Sequence, residues 1–279
     1  LPAVLVNSAV LFFMRQQRKL RQWNFDYDSQ DYTAEDLTII SEHITESGVK
    51  DITYQQQPDN IIWVVRKDGQ LVGLTYERDQ KVIGWHRHLN DVKLYNGNSA
   101  NFKFKSVATT ARNQKEDAVY VAVEYDGAIA TDFNPDPELY KGNYICLLKD
   151  REWGTDLNNY YGVDMCHEII KPDESSASYI NDELRKLQID HFMGVDVELS
   201  SNGKPLVVGV DYDIYNYNNE LQDRKVIYRL GDYYKIKDAS LSGIKRLLIG
   251  LPFKSILAPL YVTYESRYGS TVGSKANIN

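Results

Sequence analysis

Few residues in this chain have the types and spacing that chemistry needs. In His86-Arg87-His88 two imidazoles stand two residues apart, on one face of a strand, with Trp85 and Arg87 on the other. Such a pair binds zinc or copper once a third ligand converges. The chain has five His and no second His-x-His, so two surface-strand histidines are the expectation. Cys166-His167 pairs a nucleophile with a base by type, but neighbours on a strand face opposite ways. A cysteine nucleophile there would need a distant His and an acid. Cys146 lies in an apolar stretch and reads as core.

The acidic groups are weaker still. Asp26, Asp28 and Asp31 in DYDSQD partly imitate a calcium loop without its Gly and closing Glu. Asp211 and Asp213 fall in DYDIYNYNNE. A carboxylate pair serves glycoside hydrolysis when held about 5–9 Å apart, and nothing in the sequence fixes that separation. Both groups read as solvated turn acids. The motifs G-x-G-x-x-G, the P-loop, G-x-S-x-G and H-E-x-x-H do not occur. No catalytic, cofactor-binding or metal-ligating residue is assigned, and no cofactor is expected.

Composition bounds the rest. The 279 residues carry 32 Lys plus Arg against 39 Asp plus Glu, a net charge of −7. That balance disfavours a general nucleic-acid binder, whose affinity rests on neutralising phosphates. Two cysteines cannot build a disulfide framework or a four-sulfur zinc site. Residues 1–14 are mostly apolar, but the run is short and is interrupted by Pro2, Asn7 and Ser8. Its basic residues, Arg15, Arg18 and Lys19, follow it, the wrong order for a signal peptide. It reads as two buried strands about an Asn7-Ser8 turn. No membrane span is expected anywhere. The start at Leu1 reads as a processed or truncated piece of a longer product.

The elements that must position these residues are strands. Ile61 to Glu77 is strand, Asp68-Gly69 turn, strand, because Gly tolerates the positive φ that a tight hairpin needs. Asp51–Gln56 precedes it and Lys81–Leu89 follows, which gives a four-stranded meander the size of a propeller blade. Ala9–Phe25 and Ala118–Phe133 can be laid over Ile61–Glu77, the latter with its own Asp126-Gly127 turn. Phe104–Asp117 matches the strand before the hairpin, and Asn143–Asp150 is the outer strand of this third unit. The period is roughly 50 to 57 residues, near that of kelch repeats. Thr33-Ala34-Glu35-Asp36 resembles a capping box, so a helix is predicted that shows Leu37, Ile40 and Ile44 on one face and ends at Gly48.

From about Glu152 the texture changes. Residues 153–163 form a polar connector, then short strands are expected at 163–170, 195–210, 224–231, 243–253 and 255–265. Asn202-Gly203 marks a second hairpin. Asn181–Gln188 suits one short helical turn, and the Gly/Ser/Asn-rich tail reads as flexible. The expected fold is all-β. Partial β-propeller blades, four-stranded and antiparallel with one short helix, occupy 1–152, and a small β-sandwich or barrel-like domain occupies 153–279.

The 21 Tyr stand against 8 Phe and 4 Trp. Many fall in strands: Tyr54, Tyr76, Tyr120, Tyr125, Tyr215, Tyr217, Tyr228, Tyr233, Tyr234, Tyr261 and Tyr264. Tyrosine suits half-buried pleated faces and is also enriched at subunit interfaces. Both readings stay open.

Ile52 to His88 carries a resemblance. An aromatic, Gln-Gln, a Pro-Asp turn, an apolar strand with Trp, Arg-x-Asp-Gly, a Leu-Thr-Tyr strand and Gly-Trp-x-Arg-His follow in order. This is similar to a segment of bacteriophage tail proteins of the tail tubular, nozzle or hub kind. Residues 4–44, 189–206 and 249–260 look like the same family. The resemblance implies a β-propeller-bearing structural subunit of the virion tail without catalysis. It implies copies in a ring, a hexamer, around a channel that DNA passes without specific binding, with adaptor and fibre proteins as neighbours. The chain departs from that family in lacking a long N-terminal portion and in ending before the last strand. It therefore reads as a fragment whose blades need other segments to cover their edges. Two other classes are weighed. One is a propeller-like carbohydrate-binding or glycan-degrading module, and the other is a secreted adhesion module.

Overall fold

In the computed structural model the chain is described over residues 1–78, 80, 82–88, 101–112, 116–126, 141–149, 161, 163–173, 178–186, 197–201, 204–208, 210–215, 221–222, 233–236, 244–251, 265–266 and 269–270. Its first eleven strands form three antiparallel meanders in chain order. β1 (Val4–Val6), β2 (Ala9–Phe13), β3 (Leu20–Asp26) and β4 (Asp31–Asp36) make the first sheet. β5 (Val49–Gln55), β6 (Ile61–Arg66), β7 (Leu71–Glu77) and β8 (Val82–His88) make the second. β9 (Asn101–Ala111), β10 (Asp117–Asp126) and β11 (Lys141–Leu148) make the third, with β10 in the middle.

The turns follow from local sequence. Asn7 takes a positive φ of 53° between β1 and β2, as Asn tolerates better than most residues. Gly69 takes φ 88° between β6 and β7, where the Asp68-Gly69 hairpin was expected. Strand faces then sort by parity. Along β6 every residue is buried, because the second sheet is covered on both sides. Ile62 and Val64 share a core with Val6, Leu11, Leu20, Val72 and Leu74, between the first and second sheets. Ile61, Trp63 and Val65 share another with Phe104, Val107, Val119, Val121 and Val123, between the second and third.

Polar groups tie the stack where it would otherwise leave buried donors unpaired. Tyr76 donates its hydroxyl to Gln22 Oε1 across the first interface at 2.6 Å. Trp85 donates its indole N–H to the Leu37 carbonyl at 3.0 Å. Across the second interface β5 lies beside β9. The Thr53 and Thr109 hydroxyls meet at 2.8 Å, and the backbone N–H groups of Gln56 and Gln57 both donate to Asp117 Oδ2. The three sheets stack like consecutive propeller blades, and the described residues do not close a ring.

One expectation is corrected. Thr33 to Gly48 is not a helix. Thr33 lies in β4, paired opposite Asn24 of β3, so the segment completes the first sheet. The Asp36 carboxylate then accepts from the Thr38 backbone N–H at 2.9 Å and its hydroxyl at 2.5 Å. That Asx-type turn ends the strand. Successive i→i+3 turns follow, Ser41 to Thr38, Ile44 to Ser41 and Gly48 to Thr45. Leu37 and Ile44 are buried, but Ile40 is 92% exposed, so the apolar spacing never forms one face. In the third unit β10 pairs with β9 and with β11, with Val119 opposite Leu148 and Asp126 opposite Lys141; the Asp126-Gly127 turn beyond Asp126 and the strand expected to run to Phe133 lie outside the described residues.

The remaining strands gather into two further sheets and a hairpin. β12 (Asp164–Ile170), β13 (Glu198–Ser201), β14 (Lys204–Pro205) and β18 (Arg246–Leu251) pair in the order β12-β18-β13-β14. β15 (Tyr212–Tyr215), β16 (Leu221–Gln222) and β17 (Tyr233–Ile236) form a three-stranded sheet. β19 (Glu265–Ser266) and β20 (Gly269–Ser270) make a small hairpin. Among the described residues the one helix is α1 (Tyr179–Lys186), where a short helical turn was expected. These sheets and α1 share a core of Ile169, Ile180, Leu184, Val197, Leu199, Tyr212, Ile214, Leu247 and Ile249. Ser201 pairs with Lys204 on either side of the expected Asn202-Gly203 turn, which itself lies outside the described residues. So do the strand expected at 224–231, most of that at 255–265 and most of the connector 153–163. Tyr125 of β10 belongs to this third core, with Phe102 and Tyr144 packed against it. The third sheet therefore contributes to both halves of the chain. The fold is all-β.

Candidate functional site

The histidine pair comes first. His86 and His88 do share a face of β8, but they are not surface groups. The register sets Trp63, Gly73 and His86 in one row across β6, β7 and β8. Gly73 has no side chain, so the rings on either side close over it, at 5.9 Å between centroids. His88 lies 5.0 Å from Trp63 and 5.2 Å from His86. A methyl group on Gly73 would sit 2.2 Å from His86 Nε2. Trp63 in turn donates its indole N–H to Gln55 Oε1 at 2.9 Å. The imidazoles act here as aromatic packing at the border of the second core. Among the described residues no three His, Cys, Asp or Glu side chains converge as a metal centre needs.

The cysteines are poorly suited to attack. Burial, and then the charge of Glu168, push the Cys166 thiol up to about 11. Burial also raises Cys146, which packs against the core between the second and third sheets. The thiolate is the nucleophile, so both groups sit in the unreactive form at neutral pH. Beside Cys166, Glu168 accepts from Tyr161 at 2.9 Å and pairs with Arg246. The Arg246 guanidinium lies 4.2 Å over the Tyr161 ring. This cluster clasps β12 to β18.

His167 is half-buried, and burial holds it below the usual imidazole range. The unfolded chain therefore binds that proton first. The stability that neutral His167 contributes is complete above about pH 6.5 and falls as pH drops below it. His167→Gln is expected to flatten the slope of the urea midpoint between pH 7 and pH 5. An unchanged slope would remove His167 as the cause.

The acidic groups hold turns and edges. Asp26 Oδ1 accepts from the Asp28 backbone N–H at 3.0 Å, and Oδ2 from the Ser29 hydroxyl at 2.9 Å. Asp26 stands opposite Asp31 at the mouth of the β3–β4 hairpin. These bonds hold the Asp26 carboxyl below its usual range. At the other pair, Asp213 lies on β15 between buried Tyr212 and Ile214, not in a turn. Asp211 accepts from the Val207 backbone N–H at 2.7 Å.

The feature that sequence reasoning missed is a surface. The face of the first sheet turned away from the second carries Leu5, Val10, Phe12, Trp23, Phe25 and Tyr32. Leu5, Val10, Trp23 and Ala34 form one row across all four strands. Trp23 stacks on Tyr32 at 4.7 Å, and Phe25 meets Tyr27 and Tyr32 edge-on at 5.1 and 5.2 Å. Leu5 is 67% exposed, Trp23 42% and Tyr27 85%. Contiguous exposed apolar side chains of this kind mark a contact surface. Alternation along β2 and β3 was the available signal, since Ala9, Leu11 and Phe13 face inward and leave Val10 and Phe12 outward. What the surface can do is stack and exclude water; it has no chemistry of its own. No helix among the described residues is long and apolar enough to cross a membrane. No protein-family model matches the sequence, and no curated protein is similar to it.

Proposed function

We propose that this chain is a structural, non-catalytic subunit of a bacteriophage tail, of the tail tubular, nozzle or hub kind. Copies would assemble as a ring around the DNA channel, hexameric by the family resemblance, with adaptor and fibre proteins as neighbours. One observation carries this reading. The residues of Ile52–His88 that carry the resemblance are committed to holding sheets together. Tyr54 donates to Asn60, Gln55 accepts from Trp63, Tyr76 donates to Gln22 of the first sheet, and Trp85 donates to Leu37. Arg66 is buried and reaches Ser47, Gln70 and Asp68. A segment most of whose distinctive residues serve packing suits a building element.

The net charge of −7 fits a wall past which DNA slides without being gripped. The test is mass spectrometry and image reconstruction of purified phage particles. Peptides of this chain in many copies, with ring-shaped density, are expected. Their absence from the particles would end the proposal.

A second reading rests on the Trp23–Tyr32 stack. Exposed aromatic rings on a flat sheet also suit the apolar faces of sugars, so a carbohydrate-binding module is the alternative. Quenching of Trp23 fluorescence by oligosaccharides, lost in Trp23→Ala, would favour it.

A further inference from the structure

The stack has a direction. Laying the repeats over one another puts Ala9, Leu11 and Phe13 of β2 in the same places as Ile61, Trp63 and Val65 of β6, and as Ala118, Tyr120 and Ala122 of β10. In the first sheet these residues face the second, and in the second they face the third. In the third they lie on the outer side, where Tyr120 is exposed, Ala122 is half-buried and Ala118 is covered. The alternate residues, Ile62 and Val64, and Val119 and Val121, face back to the preceding sheet. Their counterparts in the first sheet, Val10 and Phe12, lie on the open aromatic face. The leading face of the third sheet and the trailing face of the first are thus the two halves of an interface the chain already makes twice.

We infer that the open face of the first sheet receives the outer face of the third sheet of a second copy of this chain, head to tail. Rows at matching heights agree in chemistry. In the seam between the second and third sheets, Thr53 opposite Trp63 meets Thr109 opposite Val119, and Asp51 opposite Val65 meets Val107 opposite Val121; carried over to the open faces, this sets Leu5, Val10 and Trp23 level with Tyr120 and Leu147, and Phe12 level with Ala122 and Ile145. Ile145 is 80% exposed on β11 and Tyr120 is 40% exposed on β10. A contact that joins two different faces repeats from copy to copy, so it generates a ring when the rotation closes and a filament when it does not. This deepens the proposed ring, on which it rests, by naming the surfaces that make it.

The test uses the full chain with Cys146→Ala and Cys166→Ala, carrying Trp23→Cys, Leu147→Cys or both, under mild oxidation. The double variant is expected to give a ladder of disulfide-linked multimers. Each single variant should give none, and an equal mixture of the singles should stop at dimers. Leu5→Cys with Ala108→Cys repeats the experiment near the inner strands, should Trp23→Cys fail to fold. Dimers from Trp23→Cys alone would overturn the inference in favour of a two-fold contact between first sheets. A double variant that folds but stays monomeric would overturn it too. The outcomes separate from those of the tail reading: a ladder from a chain missing in particles keeps the contact and discards the tail. A chain present in rings without the ladder does the reverse.

Discussion

Trp63→Ala is expected to destabilise the chain by about 3–5 kcal/mol. Trp63 is buried in the middle of the core between the second and third sheets, on a strand with no exposed residue. Its removal leaves a void that flanking sheets cannot fill without losing their own register. It also strips Gln55 of the indole donor and takes the ring from under His86 and His88. Chemical denaturation with the midpoint and slope both measured would read the loss. Trp63→Phe keeps most of the apolar volume and forfeits the hydrogen bond, so it should fall well short of that. A loss under about 1 kcal/mol for the alanine variant would mean that the sheets are held by the β5–β9 seam and not by this core.

Gly69→Ala should cost about 2–4 kcal/mol from two independent sources. The backbone there is at φ 88°, a conformation that an L side chain strains to adopt. A methyl group would also sit 2.7 Å from Lys103 Cβ and 3.2 Å from its Cα. Lys103 precedes Phe104, whose N–H donates to the Gly69 carbonyl at 2.8 Å. The clash therefore pushes β9 off the second sheet at the point where it is hydrogen-bonded to it. Gly84→Ala is the matched control, because nothing lies within 4 Å of the added methyl. Hydrogen exchange should show faster loss of the Phe104 amide in Gly69→Ala alone. Equal effects of the two substitutions would refute the steric account.

The contrast between Asp68-Gly69 and Thr33-Ala34-Glu35-Asp36 shows what the sequence could reveal. The hairpin was legible because its cause is local: two residues and their φ preferences. The capping box failed because its competitor is distant. Whether Thr33 starts a helix or extends a sheet depends on whether β3 offers a free edge, and β3 does so through six paired residues from Arg21 to Asp26. The histidines needed one fact beyond their spacing. Gly73 stands between His86 and Trp63 in the row, and that register cannot be read from either strand alone. The open aromatic face was implicit in the alternation of β2 and β3. Alternation says which residues share a face, and only the stack says that one face is left uncovered.

Covering β6 on both sides sets a timetable. When the first two sheets have left the ribosome, the first core is complete. Ile61, Trp63, Val65 and Leu71 are still wet, because their cover runs from β9 to the end of β11 at Leu148. At about 5–20 residues per second, that interval lasts on the order of several seconds. During it the half-made chain displays a tryptophan-bearing apolar sheet beside every other nascent copy on the same message. Slowing translation between His88 and Leu148 should lower the soluble yield, and holding the chain with a chaperone over that span should restore it.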